Sequence, residues 1–186
     1  MANLQNFILK IRELMNYNSV MLLDSIDLQV LDILQNEGRI TNAELASRVG
    51  LTPAPMLARV NKLEERGYIR RYVALLDPVG VGLNVTAFVS VILHAHGRES
   101  ATAFLSALSE IPEVVECHHI AGQEDYLLKV MAASPSDYEM LVLEKITAIP
   151  AVQRVKTTIV LSTPKSVTQL PIRVAESERS SERSRR

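Results

Sequence analysis

The sequence predicts an α+β chain of two small domains, and three observations predict it. Residues 41–66, TNAELASRVGLTPAPMLARVNKLEER, read as two short helices joined by a tight turn. Downstream, Ile111-Pro112-Glu113-Val114 recurs 38 residues later as Ile149-Pro150-Ala151-Val152, each time after an amphipathic helical pattern and before a strand pattern. The charge shifts along with the pattern. Residues 41–72 carry six Lys/Arg against three Asp/Glu, whereas 81–164 carry five against nine, so a formal net charge of −1 hides a basic first part and an acidic second.

In the first part, Ile26, Val30, Leu31 and Leu34 give an amphipathic helix, N-capped by Asp24 or Ser25 and ended near Gly38. Thr41 with Glu44 forms a Thr-x-x-Glu capping box for a second helix with Leu45, Ala46 and Val49 on its apolar face, stopped by Gly50. Thr52 is then placed to N-cap a third helix whose first position is Pro53, where a missing N–H costs nothing, with Ala54 and Pro55 in the same first turn. Met56, Val60 and Leu63 face the core, and Arg59, Lys62 and Arg66 fall on the open face, where a helix in the major groove offers them to phosphates and base edges. Gly67 ends the helix, and residues 68–73, YIRRYV, read as an alternating basic strand suited to a wing. A bland reading stands beside this one: paired helices are common in all-α proteins, and exposed Lys and Arg are usually only solvated. The basic balance favours DNA.

The second part reads as two strand–helix–strand units in tandem. The first has a strand at 85–94, a helix with Ala101, Phe104, Leu105 and Leu108 on one face, and a strand at about 113–120. The second has a strand at 125–131, a helix capped by Ser134-Pro135 with Tyr138, Leu141, Val142 and Ile149 inward, and a strand at about 152–161. Such a tandem predicts a ferredoxin-like βαββαβ domain, a four-stranded antiparallel sheet with both helices on one face. Apolar residues on both faces of several strands then predict that the open face packs on another subunit's sheet.

Between the second and third strands lies Gly122-Gln123-Glu124-Asp125-Tyr126. Glycine lets backbone approach a ligand, Asp125 can accept a charged amine, and turn N–H groups can hold a carboxylate. Gly-x-x-Asp is also ordinary hairpin chemistry, and the residues alone favour that plainer reading. Cys117, His118 and His119 are adjacent on a predicted strand, so their side chains alternate between faces and the three cannot converge on one metal; a site completed by His94 or His96 is geometrically conceivable but lacks zinc-site spacing, so no metal site is expected. Cys117 also lacks a glycine-rich oxyanion turn, the chain has no phosphate-cradling loop, and no residue constellation supports catalysis, so an enzyme is not expected.

Composition narrows the classes further. One cysteine excludes an internal disulfide framework and suits a reducing cytoplasm. Absence of Trp and few aromatics argue against stacking platforms for single-stranded nucleic acid. Residues 78–97 lack Asp, Glu, Lys and Arg, yet their period is that of a half-buried strand, so no membrane span is expected. At the N-terminus Lys10, Arg12 and Glu13 interrupt any signal-peptide core; Leu4, Ile8, Ile11 and Met15 suit a short amphipathic helix, unless translation starts at Met21. At the other end, 166–172 suits a short edge strand, and the Ser/Glu/Arg-rich residues beyond are too polar to pack. The expected boundaries are an N-terminal extension at 1–20, a winged helix-turn-helix domain at 21–73, a linker at 74–83, the ferredoxin-like domain at 84–173 and a disordered polar tail at 174–186.

VGLTPAPMLARVNKLEERGYIRRYVALLDP followed by ECHHIAGQEDYLLKV resembles the Lrp/AsnC, or feast/famine, family of transcription regulators, over roughly residues 22–172. The Leu-Thr-Pro-x-Pro helix opening, Arg59-Val60 with Leu63, the Gly67-Tyr68-Ile69 turn and Gly122-x-x-Asp125-Tyr126 stand in the family's order. The resemblance implies a DNA-binding winged helix-turn-helix and a ferredoxin-like domain that dimerises by sheet packing and assembles into octamers or higher rings. It also implies no cofactor but a small effector, commonly an amino acid, near the Gly-x-x-Asp-Tyr loop. The expected partners are double-stranded DNA, further copies of the chain and the effector. The alternative is an effector-independent architectural protein that wraps DNA.

Overall fold

The structure, a computed structural model, describes residues 23–95 and 97–172. The expectations for the 1–20 extension and the 174–186 tail lie outside the described residues. The chain divides into two compact units: one takes the residues up to 74 together with those from 167 onward, and the other takes 75–166.

Among the described residues the first unit holds three helices, α1 (Ser25–Asn36), α2 (Asn42–Val49) and α3 (Pro53–Glu65). Helix α1 starts in a full capping box: the Asp27 N–H donates to Asp24 Oδ1 at 2.7 Å, and the Asp24 N–H donates to Asp27 Oδ2 at 3.2 Å. The box expected at Thr41 is only half made. Thr41 Oγ1 accepts from the Glu44 N–H at 3.2 Å, but the Glu44 carboxylate turns one helical turn onward to Arg48, 2.8 Å away. Gly50 ends α2 at φ 74°, a left-handed conformation that glycine enters without steric cost. Thr52 holds the N-cap position of α3 but makes no side-chain cap bond. Of the two N–H groups that such a hydroxyl can take, two and three residues on, Pro55 at the third helical position removes one.

Val30, Leu45, Ala46, Met56, Val60 and Leu63 are buried together, with Ile26, Leu31, Leu34 and Val49 packed against them, as the helical periodicity predicts. Residues 68–73 carry no strand, a correction to the expected wing ladder. Among the described residues the first unit has no other strand, and a lone strand leaves its backbone groups without partners. The expected edge strand at 166–172 is likewise absent. Instead the Leu170 N–H donates to Gln35 Oε1 at 2.8 Å while Gln35 Nε2 donates to the Leu170 carbonyl at 3.1 Å, and Gln169 Nε2 donates to Asn36 Oδ1 at 2.8 Å. A side-chain amide on α1 thus satisfies backbone groups that a strand neighbour would otherwise pair.

The second unit contains β1 (Val85–Leu93), α4 (Arg98–Ser109), β2 (Val114–His119), β3 (Tyr126–Ala132), α5 (Pro135–Met140) and β4 (Val152–Ile159). The strands lie in the order β2-β3-β1-β4, antiparallel throughout, which is the split arrangement of two βαβ units. Ala87, Val89, Val91 and Leu93 of β1 and Tyr126, Leu128, Val130 and Ala132 of β3 form one face, buried in a single cluster with Phe104 and Leu108 of α4 and Tyr138 of α5. Both helices therefore cover the same side of the sheet.

Two details depart from the expected pattern. Leu105 is 44% exposed, because the four-residue step from Phe104 to Leu108 sets the inward face and Leu105 falls about 100° away from it. The helix begun at Pro135 continues from Leu141 to Ile146 as π-helix, with the Thr147 N–H bonded to the Val142 carbonyl five residues back at 2.9 Å. This wider turn brings Leu141 and Ile146, five residues apart, into the same core.

Candidate nucleic-acid interface and ligand loop

Helix α3 buries Met56, Val60 and Leu63 and turns the rest of its surface outward. Thr52, Pro53, Ala54 and Pro55 at its start, and Lys62 and Arg66 at its end, are all exposed. Two residues that charge-based reasoning passed over share this surface, Ala58 and Asn61. Ala54, Ala58, Asn61 and Lys62 recur opposite the core at helical spacing. Small alanines let a helix approach closely, and an Asn amide has the donor–acceptor pair that matches an adenine edge. Plain wheel arithmetic on the sequence finds both residues; attention to charge alone does not.

Arg59 departs from the expected open face. It lies on the flank of α3, half-buried, and its Nη1 donates to Asp24 Oδ2 at 2.6 Å and to Asp27 Oδ1 at 2.7 Å. The physical reason is that the step from Val60 back to Arg59 points toward the N-terminus of α1, where the two capping carboxylates already gather. Burial alone would raise the Asp24 carboxyl, but the Asp27 N–H and the Arg59 guanidinium together outweigh it and hold it below its usual range. The same two carboxylates push the Arg59 guanidinium above its usual value.

In the second unit, residues 120–125 form the turn between β2 and β3. Gly122 and Gln123 are exposed, Glu124 and Asp125 are half-buried, and Tyr126 is buried. Asp125 fastens the turn to β1. Its Oδ2 accepts from the Leu93 N–H at 2.8 Å, its N–H donates to the Val91 carbonyl at 2.9 Å, and its carbonyl accepts from the Ile120 N–H at 3.0 Å. The β1–β3 pairing ends at Val91 and Tyr126, so the carboxylate takes up the next N–H on that edge of β1, just past the end of the ladder. Tyr126 stands between the Phe104 ring, 4.9 Å away by centroid, and a stacked His119 ring at 5.0 Å. Gly122 has no positive φ, and a Cβ placed on it would meet nothing within 4 Å. Neither local backbone strain nor crowding within the chain requires glycine there.

Cys117 and His119 pair in register with Leu128 and Tyr126, on the helix-covered side, while His118 pairs with Leu127 on the opposite side. Among the described residues no three His, Cys, Asp or Glu come together as a metal site. Cys117 is an exposed residue of the edge strand β2, and the partial desolvation of its thiol pushes it up. Among those residues no helix is long and apolar enough to cross a membrane. A surface hollow along α4 is lined by Arg98, Glu99, Thr102, Ala103 and Ser106, and includes none of the turn residues.

Comparison with known proteins bears on both units. The family model for the Lrp/AsnC ligand binding domain matches residues 86–170, and that for a winged helix-turn-helix DNA-binding domain matches 23–70. The leucine-responsive regulatory protein of Escherichia coli strain K12 is 38% identical over 151 residues, which cover 81% of this chain and 92% of that protein. Among solved structures, a transcriptional regulator of Neisseria meningitidis in complex with L-Met aligns with a TM-score of 0.77 at 35% identity, covering 81% of this chain and 97% of that one. A feast or famine regulatory protein of M. tuberculosis complexed with L-methionine aligns with a TM-score of 0.73 at 34% identity, covering 80% of this chain and 99% of that one. These relatives are regulators rather than enzymes, and with a helix-turn-helix reader, a four-stranded antiparallel sheet domain and both family models in register, the chain belongs to the Lrp/AsnC family of DNA-binding transcription regulators.

Proposed function

We propose that this chain binds double-stranded DNA sequence-specifically and that a small effector, an amino acid, changes its DNA occupancy through a self-assembled form in the cytoplasm. The observation that carries this reading is the pairing of an exposed helix face in the first unit with a ligand-binding-domain match over the second. Thr52, Pro53, Ala54 and Pro55 bring the start of α3 to the groove, while Lys62 and Arg66 meet the backbone and Asn61 reads a base edge. The cationic balance of residues 41–72 supplies the attraction to phosphate.

Self-assembly is supported by the sheet face away from α4 and α5. Phe88, Ile92, Leu127 and Met131 lie there half-buried, an apolar patch crossed by the paired Lys129 and Glu116 and bordered by Arg154, which suits a second copy's sheet. The effector is assigned to the 122–126 turn. Gly122, Gln123 and Glu124 form its outer surface, Tyr126 sets its shape, and Asp125 both fastens it to β1 through Oδ2 and offers its charge to the α-amine. L-methionine in two related structures supports an amino acid as the ligand class. The mechanism is a population shift, in which a ligand with unequal affinity for two assembly states redistributes them and so alters which DNA sites are spanned.

Asp125→Asn tests the site. Asparagine keeps an oxygen that can accept from the Leu93 N–H but removes the charge, so the fold and basal DNA binding should persist while a charge-assisted bond to an α-amine, roughly twice as strong as a neutral one, is lost. Isothermal titration of the amino acid that most raises the melting temperature should show weakened or absent binding in the variant. Equal affinity in both proteins would move the effector to another surface.

A further inference from the structure

Arg59 is the charged residue of α3 that the structure removes from the open face, and the manner of its removal points to a role. The bonds to Asp24 and Asp27 both use Nη1, so the rest of the planar fork is not spent on them. The Arg59 side chain keeps 31% of its exposure and Asp24 keeps 49%. The three groups together carry one positive and two negative charges. The flank of α3 next to α1 is therefore net anionic, although its sequence shows an arginine. A DNA phosphate brought to Arg59 also comes against the Asp24 carboxylate, the more exposed of the two, and like charges at contact distance repel. Exposed ion pairs are individually weak, so the arrangement is one that a closely fitted phosphate can displace and a loosely placed one cannot.

We propose that Asp24 and Asp27 cage Arg59, withholding it from the DNA backbone and so limiting the affinity of the α3 face for DNA of arbitrary sequence. The proposal rests on the reading of α3 as the DNA-facing helix and adds a brake at its edge. Placing the carboxylates in a capping box makes the brake rigid, since Asp24 and Asp27 are each fixed by the other's backbone N–H as well as by Arg59.

The test is fluorescence anisotropy of a random-sequence duplex against the full-length chain over 50–300 mM KCl. It compares wild type, Asp24→Asn/Asp27→Asn, Arg59→Ala and the triple variant, with circular dichroism melts of each. Asparagine ranks with aspartate as an N-cap and keeps an oxygen for each capping N–H, so the double variant loses charge while retaining the box. The expected result is tighter binding by the double variant, with a log–log salt slope steeper by about one and a gain of roughly eightfold at 0.1 M salt, the effect of one added phosphate contact. Adding Arg59→Ala should abolish that gain, and Arg59→Ala alone should leave the wild-type slope unchanged. If the double variant does not fold, Asp24→Asn alone, with and without Arg59→Ala, takes its place. A gain that persists in the triple variant would reduce the carboxylates to plain repulsion, and superimposable curves for double variant and wild type would reduce them to a brace. A shallower slope for folded Arg59→Ala alone would show the arginine already on phosphate. Any of these overturns the cage. Wild type that binds no duplex at any salt, with Lys62→Ala equally inert, would overturn the DNA-facing reading of α3 as well.

Discussion

Phe104→Ala should destabilise the sheet unit by about 3–5 kcal/mol, the usual cost of emptying a buried aromatic site. Phe104 is fully buried, the largest such side chain, and it joins α4 to the sheet through Tyr126, whose ring lies 4.9 Å from it. Domains of this size are stable by only about 5–15 kcal/mol, so one substitution removes a large fraction of the total. Tyr126 follows directly on Asp125, so the same cavity loosens the anchor of the 122–126 turn. Urea unfolding followed by far-UV circular dichroism should show a lowered midpoint for the variant. Phe104→Leu, which leaves a smaller void, should fall between it and wild type. An unchanged midpoint in Phe104→Ala would mean that the core is not closed by this ring.

Replacing Lys62 and Arg66 together by alanine should flatten the salt dependence of DNA binding by about two units of log–log slope and weaken binding roughly sixtyfold at 0.1 M salt, if each neutralises one phosphate. Both side chains are exposed and neither makes an ion pair among the described residues, so their removal leaves the core of the first unit untouched. The helical circular dichroism and melting temperature should therefore stay close to wild type. The contrast with Arg59 is the informative part: the three cations lie on one short helix, yet only two are expected to contribute to the slope. An unaltered slope in the Lys62/Arg66 variant would remove α3 from the phosphate backbone.

The parts of the fold legible in sequence were those governed by local periodicity and by caps. Met56, Val60 and Leu63 are buried as their spacing predicts, Ser134 accepts the Asp137 N–H, and the strand–helix–strand repeat folds into the expected antiparallel sheet. What the pattern did not reveal depends on partners distant in sequence. YIRRYV alternates as a strand should, but a strand needs a neighbour, and none exists in its unit among the described residues. Arg59 carries the expected charge, but the carboxylates that hold it are 35 and 32 residues away. Asp125 was legible as a polar residue in a turn. Its bond to the Leu93 N–H was not, because that N–H becomes available only where the β1–β3 pairing ends, at Val91 and Tyr126. Ala58 and Asn61 were missed for a different reason: they carry no charge, although their helical positions mark them as plainly as Lys62.

The central claim is that an amino acid bound by the sheet unit changes the DNA occupancy of the helical unit. It is tested most directly by titrating the full-length chain onto duplexes that it selects from a random pool, with each of the twenty amino acids present in turn. The account predicts that at least one amino acid shifts the midpoint by about fivefold or more, the lower end of ordinary coupling between sites, and that Asp125→Asn abolishes the shift without altering the ligand-free curve. Twenty superimposable curves at saturating amino acid would contradict it and leave a DNA-binding protein that acts without an effector of this class.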